Sequence, residues 1–541
     1  MVAIDTIFGW FFNGLDSVDD SSAISTALLA LHSAEKYPIQ NNAKRGAELA
    51  AELEQQIDFL WDMERLGLTM EKDDDETEAK LERFVEETIE KRPDGNYTVS
   101  LPFRENVGSL GDNEKLARSC LSHFLKSYRE NQKLIIAVDN DIKDCIASGF
   151  AEPAPQRTEG QPAHYLPIMA VAKKSSISKP ELPKIRVVKN AAARSRDEAS
   201  LNDVLHCGPS LLPEILKVLI FFRSHKAIVS DIQEAFLQFQ INPKHRTLLR
   251  FFWPIGIGEN PNAPVREFWG RSLEFGLVCS PFLHCAGLRY HLDSEIRNRP
   301  EDADGLQEVR NSFYMDDIFS GASDVLEGKH RVETLSQVFA NGKFPLMKWA
   351  TNSATRGTFM RNQFPEAQVT FQDSNFKMLG ILWDQPQDKI GVFVDNALTQ
   401  LRVEPPTKMS VLRGLSHIFD PLGVVVPISI NFKILLQTLW SERRDWTEEL
   451  SGENLQAFQL FRDQLEQAGS IRVDRLVSSH QGVVRRELHV FSDASLLSYG
   501  AVVYLKKFME DRRARVTFMM AKARVKPLKG CWNIHRLELR S

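Results

Sequence analysis

The sequence predicts an α+β fold whose antiparallel sheet gathers carboxylates at a turn, and two stretches carry that prediction. In residues 311–321, Phe313-Tyr314-Met315 and Ile318-Phe319 enclose Asp316-Asp317, which reads as a tight β-hairpin with both carboxylates at its tip. Earlier in the chain, the short apolar strand Ala227-Ile228-Val229 runs directly into Ser230-Asp231. In a straight strand neighbouring side chains face opposite ways, whereas at a turn two can sit side by side. Carboxylates held so close raise one another's pKa unless a divalent cation lies between them. An exposed Asp-Asp turn and a strand-end cap are the bland alternatives for these residues.

The remaining elements follow from spacing and punctuation. Residues 1–38 are aromatic-rich at their start and do not read as a complete domain. Leu49, Leu53, Ile57, Leu60, Trp61, Leu66 and Leu68 recur at helical spacing, which predicts an amphipathic helix over 47–68. An acidic stretch follows, then a strand at 96–101 and one or two helices over 113–150. Pro153, Pro155, Gly160 and Pro162 mark 151–163 as a linker or loop. Strands are predicted over 165–172 and 184–188, and a helix over 211–222 with Pro213 in its first turn. A strand over 267–277 leads to a helix that Ser280 caps and Pro281 opens, running to Arg297. Beyond the acidic hairpin, a helix over 325–340 stops at Asn341-Gly342. Strands over 344–349 and 376–383 precede a mostly helical stretch, 405–440, around Asp420-Pro421-Leu422-Gly423. A new strand pattern begins at 488–491 and 500–505.

Composition narrows the function classes. A length of 541 residues allows roughly three or four domains. The net charge of −5 does not advertise a nucleic-acid binder, but residues 71–90 alone contribute −7 and leave +2 for the remainder. A local basic groove is therefore compatible with the whole. Six scattered cysteines without a Cys-x-x-Cys pair argue against a zinc ribbon or a disulfide framework and fit a reducing, intracellular compartment. No signal peptide is visible, and no run approaches the ~18 apolar residues of a membrane span.

A strand-end carboxylate beside a carboxylate hairpin suits two-metal phosphoryl transfer, in which one ion activates a hydroxyl and the other neutralises phosphate charge. At this point the chain resembles the reverse transcriptase region of LTR-retrotransposon polyproteins, most closely the Pao (BEL/Pao) family. Asp231-Ile-Gln-Glu-Ala-Phe236 is similar to the family's first palm motif and Tyr314-Met315-Asp316-Asp317 to its Tyr-x-Asp-Asp motif. Lys184-Ile185-Arg186-Val187-Val188 with Ser200-Leu201-Asn202-Asp203 resembles its fingers region, and Phe275-Gly276-Leu277-Val278-Cys279-Ser280-Pro281 its template-contacting loop. Residues 347–353, 378–383 and 418–423 also fit, so the ordered set is far more specific than any one match.

The resemblance implies a right-hand polymerase of fingers, palm and thumb with an antiparallel palm sheet, followed by a partial α/β ribonuclease H-like domain. It implies that Asp231 and Asp316 are the principal ligands of two Mg²⁺ ions, with Asp317 the second hairpin carboxylate. Phe236 takes the steric-gate position that favours deoxynucleotides, Arg186 and secondarily Lys184 grip the triphosphate, and Phe275 and Gly276 lie near the nascent base pair. The implied partners are an RNA template, a DNA primer, the RNA–DNA hybrid, dNTPs and other products of the same polyprotein. The implied setting is a cytoplasmic virus-like particle with the nucleus within reach. The implied domains are a protease-like end at 1–38, a helical region at 39–150, fingers and palm at 151–400, thumb and connection at 401–485, and a ribonuclease H-like domain at 486–541.

Some features depart from the family pattern. Family members commonly carry an aromatic residue and an aspartate where this chain has Lys189 and Asn190, which is expected to weaken a salt bridge in the fingers. In the C-terminal stretch Asp493 and Glu538 resemble two ribonuclease H metal ligands, and the expectation is an incomplete, inactive nuclease. Thr6-Ile7-Phe8-Gly9-Trp10 resembles the close of an aspartic protease, but no Asp-Thr/Ser-Gly triplet occurs. The rival reading, from a different class, is a catalytically silent nucleic-acid-binding remnant of a retroelement. A weaker third is an α/β scaffold with coincidental motifs.

Overall fold

Strand Lys226–Ile232 lies at the centre of the four-stranded sheet because both of its faces are apolar. The structure, a computed structural model, describes residues 75–127, 131–157, 160, 162–172, 185–195, 198–224, 226–477, 482–528 and 530–540, with the backbone of strands Val2–Thr6 and Gly9–Asn13. The helix expected over 47–68, the region 14–74 and Lys184 lie outside the described residues. The sheet order is Asp317–Ala322, Lys226–Ile232, Leu346–Thr351, Val369–Thr370, antiparallel except for the last pair.

Alternation divides the central strand between two cores. Ile228 and Ile232 join a large cluster with Leu283, Leu288 and Leu292 of helix Ser280–Asn298 and Leu335, Val338 and Phe339 of helix Val325–Asn341. Ala227 and Val229 face the other way, onto Val218, Leu219 and Phe222 of helix Ile215–Phe222 and onto Met378, Ile381 and Trp383. Each such fully buried side chain contributes on the order of 1.5–3 kcal/mol. That burial fixes the register, since a one-residue slip would exchange the two faces.

Several elements differ from expectation, each for a local reason. The first arm of the acidic hairpin, Phe313–Met315, is reduced to one bridge at Tyr314, because helix Ala303–Ser312 runs up to it, its Leu306 and Val309, with Phe313 just beyond, forming a helical stripe into the core. Part of the expected linker is a strand, Ala151–Pro153, on the edge of a sheet with Arg266–Gly270 and Arg250–Trp253, where a proline can sit. Helix Ile215–Phe222 starts after Pro213 rather than containing it. The strand expected over 267–277 ends at Gly270, and Ser280 is no cap: its hydroxyl donates to the Glu274 carbonyl at 2.6 Å.

Upstream, helices Glu114–Ser127 and Gln132–Ala147 share a core with the Arg250–Trp253 sheet and with the paired strands Ile168–Ala172 and Ile185–Lys189. Downstream, helices Lys408–Ser416, Val426–Ser441 and Gly452–Ala468 form a separate apolar cluster. The chain then builds an antiparallel sheet of three 12-residue strands, Val483–Ala494, Ser498–Met509 and Ala514–Val525, longer than expected and with a third member the pattern did not announce.

Two joints hold this sheet to the rest. Gly423 (φ +77°) abuts it so closely that a Cβ there would lie 1.9 Å from the Ala521 carbonyl oxygen, and the Ala521 N–H donates to the Leu422 carbonyl at 2.9 Å. The buried Arg223 guanidinium donates to the main-chain carbonyls of Asp474 (2.9 Å), Arg475 (3.2 Å), Phe518 (2.5 Å) and Met519. Among the described residues no helix is long and apolar enough to cross a membrane, and all six cysteines are free thiols.

Candidate active site

The sheet register sets Asp317 directly opposite Asp231 at the end of their antiparallel ladder. Directly opposed residues share a face with Cβ atoms roughly 5 Å apart, so two like charges meet there. Tyr314 and Asp317 exchange both main-chain hydrogen bonds, at 2.9 and 3.0 Å, around the two-residue turn Met315-Asp316. Only Met315 has a positive φ (+54°), the pattern of a II′ turn, whose first position glycine would fill without strain. The turn places the exposed Asp316 beyond the strand end, and its carbonyl accepts from the Ile232 N–H at 2.8 Å. The hairpin tip therefore holds one carboxylate, not the expected two: Asp317 begins a strand, where its face is fixed by the ladder.

The electrostatics are those of crowded negative charge. Burial, then Asp316 and Asp231, push the Asp317 carboxyl up to about 7. Burial also raises Asp231, against the opposing pull of Lys348, whose ammonium lies 2.9 Å from its Oδ2. Lys348 reaches it from a β-bulge between Met347 and Ala350 with φ +54°. Glu234, three residues after Asp231, is likewise left-handed at φ +52°. Three non-glycine residues in this conformation around one site, each costing on the order of 1 kcal/mol, mark it as held against local preference.

Among the described residues no group of three or more His, Cys, Asp or Glu side chains is arranged to hold a metal ion. Mg²⁺ characteristically takes only one or two protein carboxylates and completes its shell with water and substrate phosphates, so the mutually repelling Asp231, Asp316 and Asp317 fit that mode. Lys348 supplies a cationic partner to Asp231 at this strand end, and sequence reasoning gave it no role. Neither its bulge nor its left-handed backbone has a sequence signature.

Beside the carboxylates lies an aromatic corner. Phe236 is half-buried, 5.1 Å from the exposed Phe275 in an edge-to-face pair. Gly276 (φ +103°) must be glycine, because a Cβ would lie 2.7 Å from the Lys189 carbonyl oxygen. Arg186 is exposed on strand Ile185–Lys189, three positions before the buried Lys189; Lys184, the secondary candidate, lies outside the described residues. The departure at 189–190 does not leave a gap. Lys189 forms a buried ion pair with Glu274 and stands 4.3 Å from the Phe251 ring centroid, while the Asn190 side chain accepts from the Ala192 N–H at 3.1 Å in the following turn. The expected weakening of a fingers salt bridge is thus replaced by a salt bridge of this chain's own, one residue before Phe275.

The C-terminal carboxylates are placed apart from this site. Asp493, exposed near the end of its strand, accepts from the Ala494 N–H at 2.9 Å. Glu538 ends the short helix Ile534–Glu538, which packs against that strand, and its carboxylate lies 3.6 Å from His535 Nδ1.

Comparison with known proteins bears on this stretch first. Residues 407–541 match the family model described as Pao retrotransposon-like RNaseH-like domain. The three helices and the long-stranded sheet thus define a retrotransposon-type, ribonuclease H-like region. That family model is a Pao one, in keeping with the motif resemblance. Two solved structures are similar overall. The foamy viral protease-reverse transcriptase dRH in complex with double-stranded DNA matches at TM-score 0.45 and 15% identity, over 73% of this chain and 58% of that one. The foamy viral protease-reverse transcriptase in complex with RNA/DNA hybrid matches at TM-score 0.44 and 14% identity, over 98% of this chain and 56% of that one. The chain thus spans a little over half the length of either. No curated protein matches it.

Proposed function

We propose that the chain is the RNA-directed DNA polymerase region of a Pao-type retrotransposon polyprotein. The observation that carries this reading is the opposition of Asp231 and Asp317 across an antiparallel ladder, with Asp316 on the adjoining turn. Residues 151–400 are the proposed fingers and palm and 401–485 the proposed thumb and connection, whose stretch from 407 onward also falls within the matched family model. Two Mg²⁺ ions held by Asp231, Asp316 and Asp317 would activate a primer 3′-hydroxyl and neutralise charge on the triphosphate and leaving pyrophosphate. The protein's own part is to position and to exclude. Phe236 fills the space a ribose 2′-hydroxyl would need, Phe275 and Gly276 shape the floor under the nascent pair, and Arg186 offers a bidentate donor to phosphate. Template RNA, primer, hybrid and dNTPs are the proposed ligands, within a virus-like particle.

Primer extension on poly(rA)–oligo(dT) tests the reading. The parent should extend, and Asp231→Asn or Asp316→Asn should lose at least a hundredfold, the scale of several kcal/mol of lost charge stabilisation. Extension that survives both substitutions would sink it. The Lys348 ammonium already paired with Asp231 at 2.9 Å favours the second reading, a silent remnant, which predicts hybrid binding with no extension. Any nuclease activity of the 407–541 stretch would draw on Asp493 and Glu538. We propose that it is impaired, which robust cleavage of RNA in an RNA–DNA hybrid would contradict.

A further inference from the structure

Helix Ser280–Asn298 runs beneath the Met315-Asp316 turn and carries two fully buried histidines two turns apart. His291 is satisfied on both sides, 2.8 Å from the Val338 carbonyl and 3.0 Å from the Tyr97 hydroxyl. His284 is placed differently. Its Nε2 lies 3.1 Å from the carbonyl oxygen of Met315, which can only accept, so Nε2 carries the proton. Burial keeps the ring neutral, pushing it down to about 4, so this is its one proton. The ring centroid is 4.9 Å from that of Phe236 and 5.6 Å from that of Phe239. Nδ1 is buried against the Ala235 main chain, short of full hydrogen-bond geometry. The bond of full geometry is the one from Nε2, and it goes to the strained residue beside Asp316.

We propose that His284 is a positioning residue that ties the turn carrying Asp316 to the ring of Phe236, so that the carboxylate site and the sugar-excluding wall keep one geometry. The turn is then pinned at two successive carbonyls, Met315 by His284 and Asp316 by the Ile232 N–H at 2.8 Å. Loss of the first pin frees a left-handed methionine to relax and lets Asp316 and Phe236 drift independently. This inference rests on the polymerase reading.

The test compares His284→Leu, which keeps the volume and removes the donor, with His284→Gln, which keeps a donor, and with His291→Leu, equally buried on the same helix. Each is assayed for incorporation of dTTP and UTP on poly(rA)–oligo(dT). His284→Leu should lower kcat for dTTP about tenfold with little change in KM and narrow the dTTP-over-UTP preference by a similar factor, the scale of one lost hydrogen bond. His284→Gln should recover most of both, and His291→Leu should lower Tm while leaving kcat and selectivity within about twofold. If His284→Leu does not fold, His284→Asn, whose amide is too short to reach Met315, takes its place. An active parent in which His284→Leu matches His291→Leu, or in which Gln rescues nothing, overturns this inference and leaves the polymerase reading intact. A parent inactive on every template refutes the polymerase reading. The positioning role is then read from Mn²⁺ titration by electron paramagnetic resonance. Binding weakened about tenfold in His284→Leu alone sustains the role, and equal or absent binding overturns it.

Discussion

Replacing Lys189 by methionine should expose how much this chain depends on its private ion pair. The Lys189 and Glu274 side chains are 6% and 9% exposed, so methionine keeps the stem packed on Phe251 and strands a buried carboxylate. Removing one partner of such a pair typically costs about 3–5 kcal/mol. Urea unfolding followed by tryptophan emission measures this. Pairing Lys189→Met with Glu274→Leu should restore most of the stability, because neither charge is then left alone. A loss below about 1 kcal/mol would show that the pair is not buried in the working protein.

Three further outcomes are expected. Without divalent ions the Asp317 carboxyl, raised to about 7, favours the folded state most below its unfolded range near 4 and loses that advantage as pH rises through 7. Tm should thus fall between pH 5 and 8, and Asp317→Asn should flatten the fall; an unaltered profile in the variant refutes the assignment. Phe236→Ala should admit ribonucleotides while leaving Mn²⁺ binding unchanged, and undiminished selectivity would reduce Phe236 to a core residue. Gly423→Ala, with its Cβ 1.9 Å from the Ala521 oxygen, should speed hydrogen exchange throughout strand Ala514–Val525. Gly482→Ala, at φ +68° with only Met509 Cε nearby at 3.7 Å, should cost no more than the backbone strain of about 1–2 kcal/mol, and equal effects would deny the clasp.

What was legible in the sequence was whatever depends on local pattern. The Ala227–Val229 run and the helices at 280–298 and 325–341 follow from periodicity and punctuation, and long-range contacts only confirmed them. The site was legible as far as its motifs reached. Which aspartate opposes Asp231 was not, because the hairpin's first arm is a lone bridge at Tyr314 after helix Ala303–Ser312, which puts Met315-Asp316 at the turn and Asp317 in the strand. Lys348, Glu274 and His284 were invisible for another reason. Each acts across 31 to 117 positions of sequence, and no local pattern records which partner a lysine, glutamate or histidine will meet.

The Arg223 joint has a consequence for how this protein can change. Its acceptors are main-chain carbonyls of Asp474, Arg475, Phe518 and Met519, and a carbonyl is present whatever side chain stands above it. The partners can therefore be substituted freely without loosening the joint, so long as the backbone path is kept. Arg223 itself has no such freedom, because no other side chain spreads enough donors over two separate strands. The joint is thus lopsided in its tolerance: one position must be arginine, and the stretches it binds need only be peptide. Drift in the C-terminal sheet can proceed while this attachment persists, and a lesion at Arg223 would remove that joint and leave the Gly423–Ala521 contact to hold the sheet.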